Sequence, residues 1–550
     1  MAPSDTLNHR LDALCPAIEA LMRLGGTPGL SLAVVDGKDD NNVYYANFGV
    51  RDIASGQPVT PETRFPACSL AKAVSAAAMG ILVDEGKASW DMLARDAVSS
   101  FACTRDPSLA ETTTLADLFS HRSGMSSAGA LVGGSEGNVL VATQADMLRV
   151  VNEQVLLPER RGKYCYNSTA YDLVGAAIEN LSQQSTVAAF VDDRIFQPLG
   201  LQRSSMEPPP IEGSDDNTCS CYNVLDNGTP VCIPAPRVGE NGVGTASGGL
   251  WTCTSDLVKL YRAMLRSYHG AQDTPLRGIS NTMAVHVAMP GGDTAYGLGW
   301  VRTRLPNTLG QIGLNGRLLP DSMPTAGHGL NSRPLIVYHQ GTLPGALACA
   351  VLLPETSQVV VVLGNALALT DVPDWVVHLV VEELLGVPQD QRVDVFRYAR
   401  QSIVVNLAWY NGVTKGLASA TTRRSWKRPL ESYVGTYVDK TGVFRVVVTL
   451  KEKQLAWAFQ GLDSERYVLT HYDGDTFTWL QTRNELVSRG RWVLGDDCSA
   501  NFWKVVFCAH DAGSQDTINA IQWEHDPAMP PIEYRRCISQ NDGPRCTSEC

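Results

Sequence analysis

The chain reads as an α+β fold, an antiparallel sheet flanked by helices, followed by a smaller all-β domain. Three observations lead there. Strand-like runs stand at both ends of residues 1–388, with helical periodicity between them. Residues 70–83 are apolar with almost no polar face, as a fully buried helix requires. Beyond residue 430 the pattern changes to short strands separated by turns, the mark of a barrel or sandwich.

Taken in order, residues 30–35 and 43–48 alternate as a strand pair around a polar turn at 36–42. The buried helix follows. Residues 65–68 lead into it, and Asp84-Glu85-Gly86 ends it with a glycine stop. Residues 85–205 are mainly helical, most clearly at 114–119 and 170–178. Residues 206–246, rich in Pro, Gly, Asp and Asn, read as a long loop or insertion. Strands return at 335–338, 346–353 and 359–363, and a helix at 375–385 closes the domain. Residues 389–429 form a helical linker, with helix at 393–410 and a Lys/Arg-rich end. Strands at 443–450, 455–459, 476–480, 502–507 and 518–523 then build the C-terminal domain, 430–550.

Composition narrows the function. The chain has 550 residues, 44% of them hydrophobic, and a net charge of −12, with no basic run to hold nucleic acid. No stretch approaches the ~18 apolar residues of a membrane span. Residues 1–25 lack the basic flank, apolar core and small-residue cleavage site of a secretory signal, so a cytoplasmic location is expected. Fourteen cysteines then read as reduced thiols. Cys219, Cys221 and Cys232 cluster without a nearby histidine, so no metal is expected, and no cofactor motif is present. Cys537, Cys546 and Cys550 read as free thiols of a tail.

The chemistry begins at Ser69-Leu70-Ala71-Lys72. On a helix, positions three apart share a face, so the Lys72 amine lies beside the Ser69 hydroxyl. Serine is a weak nucleophile that needs such a neighbour, and first-turn N–H groups can stabilise a developing oxyanion. Ser-x-x-Lys recurs by chance in long chains; the buried helix singles this copy out, because an unpaired buried lysine is costly. A rival, Gly133-Gly134-Ser135-Glu136-Gly137, matches the G-x-S-x-G elbow but lacks the strand before it and the helix after it. It reads as a loop near a pocket mouth.

Further elements recur in a defined order. Residues 65–86 resemble the nucleophile helix of the serine β-lactamase and penicillin-binding-protein superfamily. Residues 118–125 (LFSHRSGM), 166–175 (YNSTAYDLVG), 247–251 (SGGLW), 296–300 (YGLGW) and 339–345 (HQGTLPG) resemble successive elements of class C β-lactamase-like esterases and transesterases. Tyr433-Val434-Gly435-Thr436-Tyr437 resembles the opening of the lipocalin-like domain some members carry. The resemblance implies that Ser69 is the acylated nucleophile. It implies that Lys72 and Tyr166 share the base role as one titrating unit, the phenol's pKa lowered by the ammonium. It further implies an oxyanion hole from the backbone N–H groups of Ser69 and Thr342, and a substrate wall including Ser168, His339 and Gly341. His121 is expected to be structural, and Trp251 and Trp300 to be core.

Two departures from the family pattern point to substrate class. Ser168 stands where the family's Tyr-x-Asn has asparagine, and His339-Gln340-Gly341 stands where Lys-Thr-Gly binds a carboxylate. Histidine is mostly neutral at pH 7. The expected activity is therefore serine acyl-enzyme hydrolysis or acyl transfer on a neutral ester, thioester or amide. The partners expected are a small-molecule acyl substrate and, for transfer, an acyl-carrier or alcohol acceptor. By resemblance, natural-product metabolism is a plausible setting. The alternatives are a D-amino-acid peptidase or β-lactamase, and a non-catalytic binding protein of the same fold.

Overall fold

The computed structural model describes residues 6–37, 42–137, 139–210, 217–321, 323–419, 424–425, 428–491, 499–509 and 518–537. Most of the first hairpin turn, residues 38–41, and the tail cysteines Cys546 and Cys550 lie outside the described residues. The chain divides into two compact units, Met1–Asn411 with Arg483–Gly495, and Gly412–Thr482 with Asp496–Cys550. The expected boundaries at 388 and 430 differ from this, because one helix, Val395–Ala418, runs across the division. Residues 483–495 then return to the first unit.

The first unit is built on a nine-stranded antiparallel sheet. Within it Gly29–Val35 pairs with Val43–Asp52 on one side and Gln358–Gly364 on the other. The sheet continues through Ala346–Leu353 and Leu335–Leu343 to Val301–Arg304. Gly29–Val35, Ala346–Leu353 and Gln358–Gly364 are buried along their whole length, so both of their faces are covered. Alternate residues point to opposite faces. Leu30, Leu32, Val360, Val362, Cys349 and Val351 join Trp375 and Val376 of the helix Val372–Leu384 in one core. On the opposite face Ser31 Oγ lies 2.8 Å from Thr254 Oγ1, at the start of the helix Thr254–Tyr268.

The helix Ala71–Asp84 is buried from Ala71 to Leu82, as its all-round apolar sequence requires. Its small residues permit close approach. A Cβ at Gly80 would stand 2.7 Å from the Arg277 carbonyl. Residues 206–246, expected as loop, contain a buried-edged hairpin, Cys221–Val224 with Pro230–Ile233. Its strands are too short to show a period-two signal.

The second unit carries a nearly closed nine-stranded sheet in which every neighbouring pair is antiparallel. Aromatic rings fill it. Trp457, Trp479, Trp523 and Phe459 are each buried, with centroid separations of 4.7 to 5.9 Å. Among the described residues no helix is long and apolar enough to cross a membrane.

Candidate active site

Ser69 sits in the turn between the strand Phe65–Cys68 and the helix that begins at Ala71, one step earlier than a first-turn position. The turn closes by Lys72 N–H donating to Ser69 O at 3.1 Å. Cys68, immediately before it, is fully buried with φ +53°, a left-handed conformation that non-glycine residues adopt at a cost. A sharp strand-to-helix turn with partial exposure at Ser69 is the result.

Lys72 is fully buried. Its Nζ donates to Ser69 Oγ at 3.1 Å and to the Ser247 carbonyl at 2.8 Å. It also lies 4.9 Å and 5.1 Å from the ring centroids of Tyr166 and Tyr171. The Tyr166 hydroxyl donates to the same Ser69 Oγ at 3.0 Å. Three residues expected to act together thus meet at one oxygen. Tyr166 is held by its neighbours. His121 (φ +58°) lies 4.2 Å from it, centroid to centroid, and His121 Nδ1 accepts the Asn167 N–H at 3.1 Å. Burial drives the His121 pKa well below the ordinary value, so the ring is a neutral structural support. The Asn167 side chain donates to the carbonyls of Met125 and Ser126, pinning the loop ahead of Tyr166.

Thr342 lies on the strand Leu335–Leu343, whose register pairs Leu343 with Ala346 across the two-residue turn Pro344-Gly345. In an antiparallel hairpin the pair closing a two-residue turn exchanges hydrogen bonds, and the next residue points its N–H to the other edge. The neighbouring strand on that edge, Val301–Arg304, reaches only to Tyr338. The Thr342 N–H therefore points to an edge that the strand Val301–Arg304 does not cover at this position. Gly341 sets the approach. A Cβ there would stand 2.6 Å from Ala67 O and 2.9 Å from Cys68 Cβ. Gly299 does the same for the nucleophile helix, since its Cβ would stand 2.6 Å from Lys72 O.

Two expected wall residues are placed differently from one another. Ser168 is exposed. His339 is not on the wall. It is fully buried, with Nε2 2.9 Å from the Tyr296 hydroxyl and Nδ1 2.7 Å from Gln340 O. Both nitrogens are thus occupied, with Nδ1 as the donor and Nε2 accepting from the phenol. Burial, and then the nearby Lys72 charge, lower its pKa to about 3. It is a neutral ring behind the strand and offers a ligand no charge. Ser168 stands in the bend before the helix Ala170–Ser182, whereas His339 stands on the buried strand Leu335–Leu343 with its ring enclosed by the protein. Ser135 is buried in a bend after the short helix Gly129–Val132, with no strand before it, so it lacks the setting of a nucleophile elbow. Trp251 and Trp300 are core.

Two residues escaped sequence reading. Asp172 is nine-tenths buried and accepts the Gly244 N–H at 2.8 Å. Asn223 is buried, accepts the Gly345 N–H at 2.9 Å and donates to Val487 O at 3.0 Å. Neither belongs to a spacing that signals chemistry. An acid in the first turn of a helix amid apolar neighbours was the one available hint.

Comparison with known proteins fits this geometry. The model of the family described as Beta-lactamase matches residues 16–381. A domain of unknown function (DUF3471) matches residues 421–534. An unguisins hydrolase of Aspergillus violaceofuscus is 22% identical over 476 residues, covering 83% of this chain and 80% of that protein. Penicillin-binding protein 4 of Amycolatopsis lactamdurans is 34% identical over 191 residues, 34% of this chain and 48% of its own. A D-aminopeptidase of Brucella anthropi is 29% identical over 185 residues, 33% of each chain. The octameric penicillin-binding protein homologue from Pyrococcus abyssi shares the fold. Its TM-score is 0.56 at 20% identity, over 95% of this chain and 99% of that one.

Proposed function

The chain belongs to the beta-lactamase family of serine hydrolases, and from that premise we propose that it cleaves a neutral ester, thioester or amide through an acyl-enzyme on Ser69. The observation that carries this reading is the pair of contacts at Ser69 Oγ, 3.1 Å to Lys72 Nζ and 3.0 Å to Tyr166 OH. The Lys72–Tyr166 unit takes the Ser69 proton as Oγ attacks the acyl carbon. The oxyanion is held by the N–H groups of Ser69 and Thr342. The same unit returns the proton to the leaving oxygen, sulfur or nitrogen, and water or an acceptor hydroxyl releases the acyl group by the reverse sequence. Hydroxyl hydrogens at Ser69 and Tyr166 are free to reorient, so the resting donor arrangement does not fix which group takes the proton first.

Neutrality of the substrate rests on His339. A buried, uncharged imidazole cannot supply the fixed cation that holds a carboxylate. The amide arm is supported by relatives named as an unguisins hydrolase and a D-aminopeptidase. A panel of p-nitrophenyl esters and acyl thioesters, with and without an alcohol acceptor, tests the proposal. Turnover of uncharged donors above that of matched donors bearing a carboxylate is expected. Preference for the anionic donors would contradict it, and acceptor-dependent product would assign transfer over hydrolysis.

A further inference from the structure

Behind Lys72 stands a carboxyl with no assigned task. Asp172 belongs to the helix Ala170–Ser182, one residue after Tyr171, whose ring lies 5.1 Å from Lys72 Nζ. Asp172 Oδ1 accepts the N–H of Gly244 at 2.8 Å. Gly244 has φ +73° and caps the short helical turn Thr245–Gly248. Its carbonyl in turn accepts from Ser247 N at 3.1 Å, from Gly248 N at 2.8 Å and from Ser247 Oγ at 3.1 Å. The far end of this turn presents the Ser247 carbonyl that takes Lys72 Nζ at 2.8 Å. A second tie, Ser75 Oγ donating to Ala246 O at 2.8 Å, holds the same turn against the nucleophile helix. One buried carboxyl therefore anchors the peptide turn that sets the position of the ammonium.

We propose that Asp172 is a positioning residue for Lys72: through the Gly244–Gly248 turn it fixes the carbonyl that holds the ammonium beside Ser69, and its charge tunes how readily the Lys72–Tyr166 unit gives up a proton. The proposal rests on the reading of Ser69, Lys72 and Tyr166 given above. The charged neighbours support it. Of the elements packed on the Asp172 helix, the nucleophile helix faces it with Lys72, and the Thr245–Gly248 turn carries no titratable side chain. Arg95, Asp96, Asp117, Asp146 and Arg149 on other neighbouring helices are engaged in ion pairs of their own. Burial raises the Asp172 carboxyl to about 7, opposed by the Gly244 N–H and then by Lys72. Its ionisation thus falls in the range where the enzyme would work.

The sign follows. An ionised Asp172 favours the protonated unit, whether the proton is assigned to Lys72 or Tyr166. Asp172→Asn keeps an acceptor for Gly244 and removes the charge, so the acid limb of Ser69 reactivity should move to lower pH, by at least ~0.5 unit. The readout is the rate of labelling by a fluorophosphonate across pH 5–9 in the full chain, with Tm as control. Asp172→Ala, which loses the acceptor too, should show the same shift and a labelling rate lower by roughly tenfold or more. An Asp172→Asn profile that overlays wild type would overturn the proposal while leaving Ser69 as the labelled residue. No labelling at Ser69 in wild type would overturn both readings. Should Asp172→Asn fail to fold, Asp172→Glu keeps the charge and displaces the Gly244 contact. The acid limb should then stay in place with a slower rate, and an unchanged rate would overturn the proposal.

Discussion

At Ser69 Oγ the ammonium of Lys72 and the phenol of Tyr166 compete for the same lone pairs, 3.1 and 3.0 Å away. Removing either leaves the other without its partner in proton transfer. Lys72→Ala and Tyr166→Phe should each lower kcat by roughly 100-fold or more, the usual scale for a general base. The double variant should lose far less than the product of the two, because both act on one proton. Multiplicative losses in steady-state kinetics would show that they do not share it. At His339 the structure reverses the expectation from motif alignment. With both ring nitrogens bonded and no exposure, His339→Lys would bury an ammonium with no anion beside it. A loss of about 3–5 kcal/mol is expected, read as a fall in Tm, with no gain in binding of carboxylate-bearing donors. The contrast explains what was legible residue by residue. Ser69 and Lys72 stand at a spacing that chemistry constrains, and Tyr166 stands in a segment that resembles a family element. Asp172 and Asn223 act through backbone N–H groups 72 and 122 positions away, which only the folded chain brings near.

Elements place these groups by close approach. The strand Leu335–Leu343 can lie against residues 67–68 only because position 341 has no side chain. Gly341→Ala should push the Thr342 N–H away from Ser69 and slow fluorophosphonate labelling on the order of 10- to 100-fold, the cost of about 1 Å of misplacement. Equal labelling with an unchanged Tm would mean that the strand is not the oxyanion element. The helix Val372–Leu384 makes a pH argument. Its N-cap Asp371 is fully buried, accepts the N–H groups of Asp374 and Leu314, and has its pKa raised to about 7, chiefly by burial. A folded pKa above the unfolded value means the native state holds the proton more tightly. This contribution is complete below pH ~4 and is lost as pH rises through about 7. Asp371→Asn keeps the cap and removes this carboxyl's titration, leaving that of Asp374, which burial also raises. The difference in Tm between variant and wild type should therefore grow in the variant's favour from pH 5 to pH 8, and a pH-independent difference would contradict the assignment. Strands and long helices of this kind were readable from periodicity. The Cys221–Ile233 hairpin was not, because four-residue strands rich in Asn, Cys and Pro carry no pattern of their own.

At the scale of the whole molecule, the α+β architecture and the all-β character of the C-terminal domain followed from where periodicity changes along the chain. The boundary did not, because the return of residues 483–495 to the first unit is a tertiary event. The helix Arg483–Ser488 packs on the Cys221–Ile233 hairpin, and Val487 O takes the Asn223 amide that also holds Gly345. A chain stopped after residue 429 loses that partner and leaves a buried amide unpaired, about 1–3 kcal/mol of destabilisation. A Tm lower by several degrees and slower labelling are expected of it, and full activity would show that residues 1–429 are self-sufficient. The central claim is that Ser69 forms the acyl-enzyme. The most direct measurement is intact and peptide-level mass of the full chain after a fluorophosphonate. One adduct per chain, on the peptide carrying Ser69 and absent from Ser69→Ala, is the expected result. An adduct that persists in Ser69→Ala, on Ser135 or elsewhere, or no adduct in wild type, would contradict it.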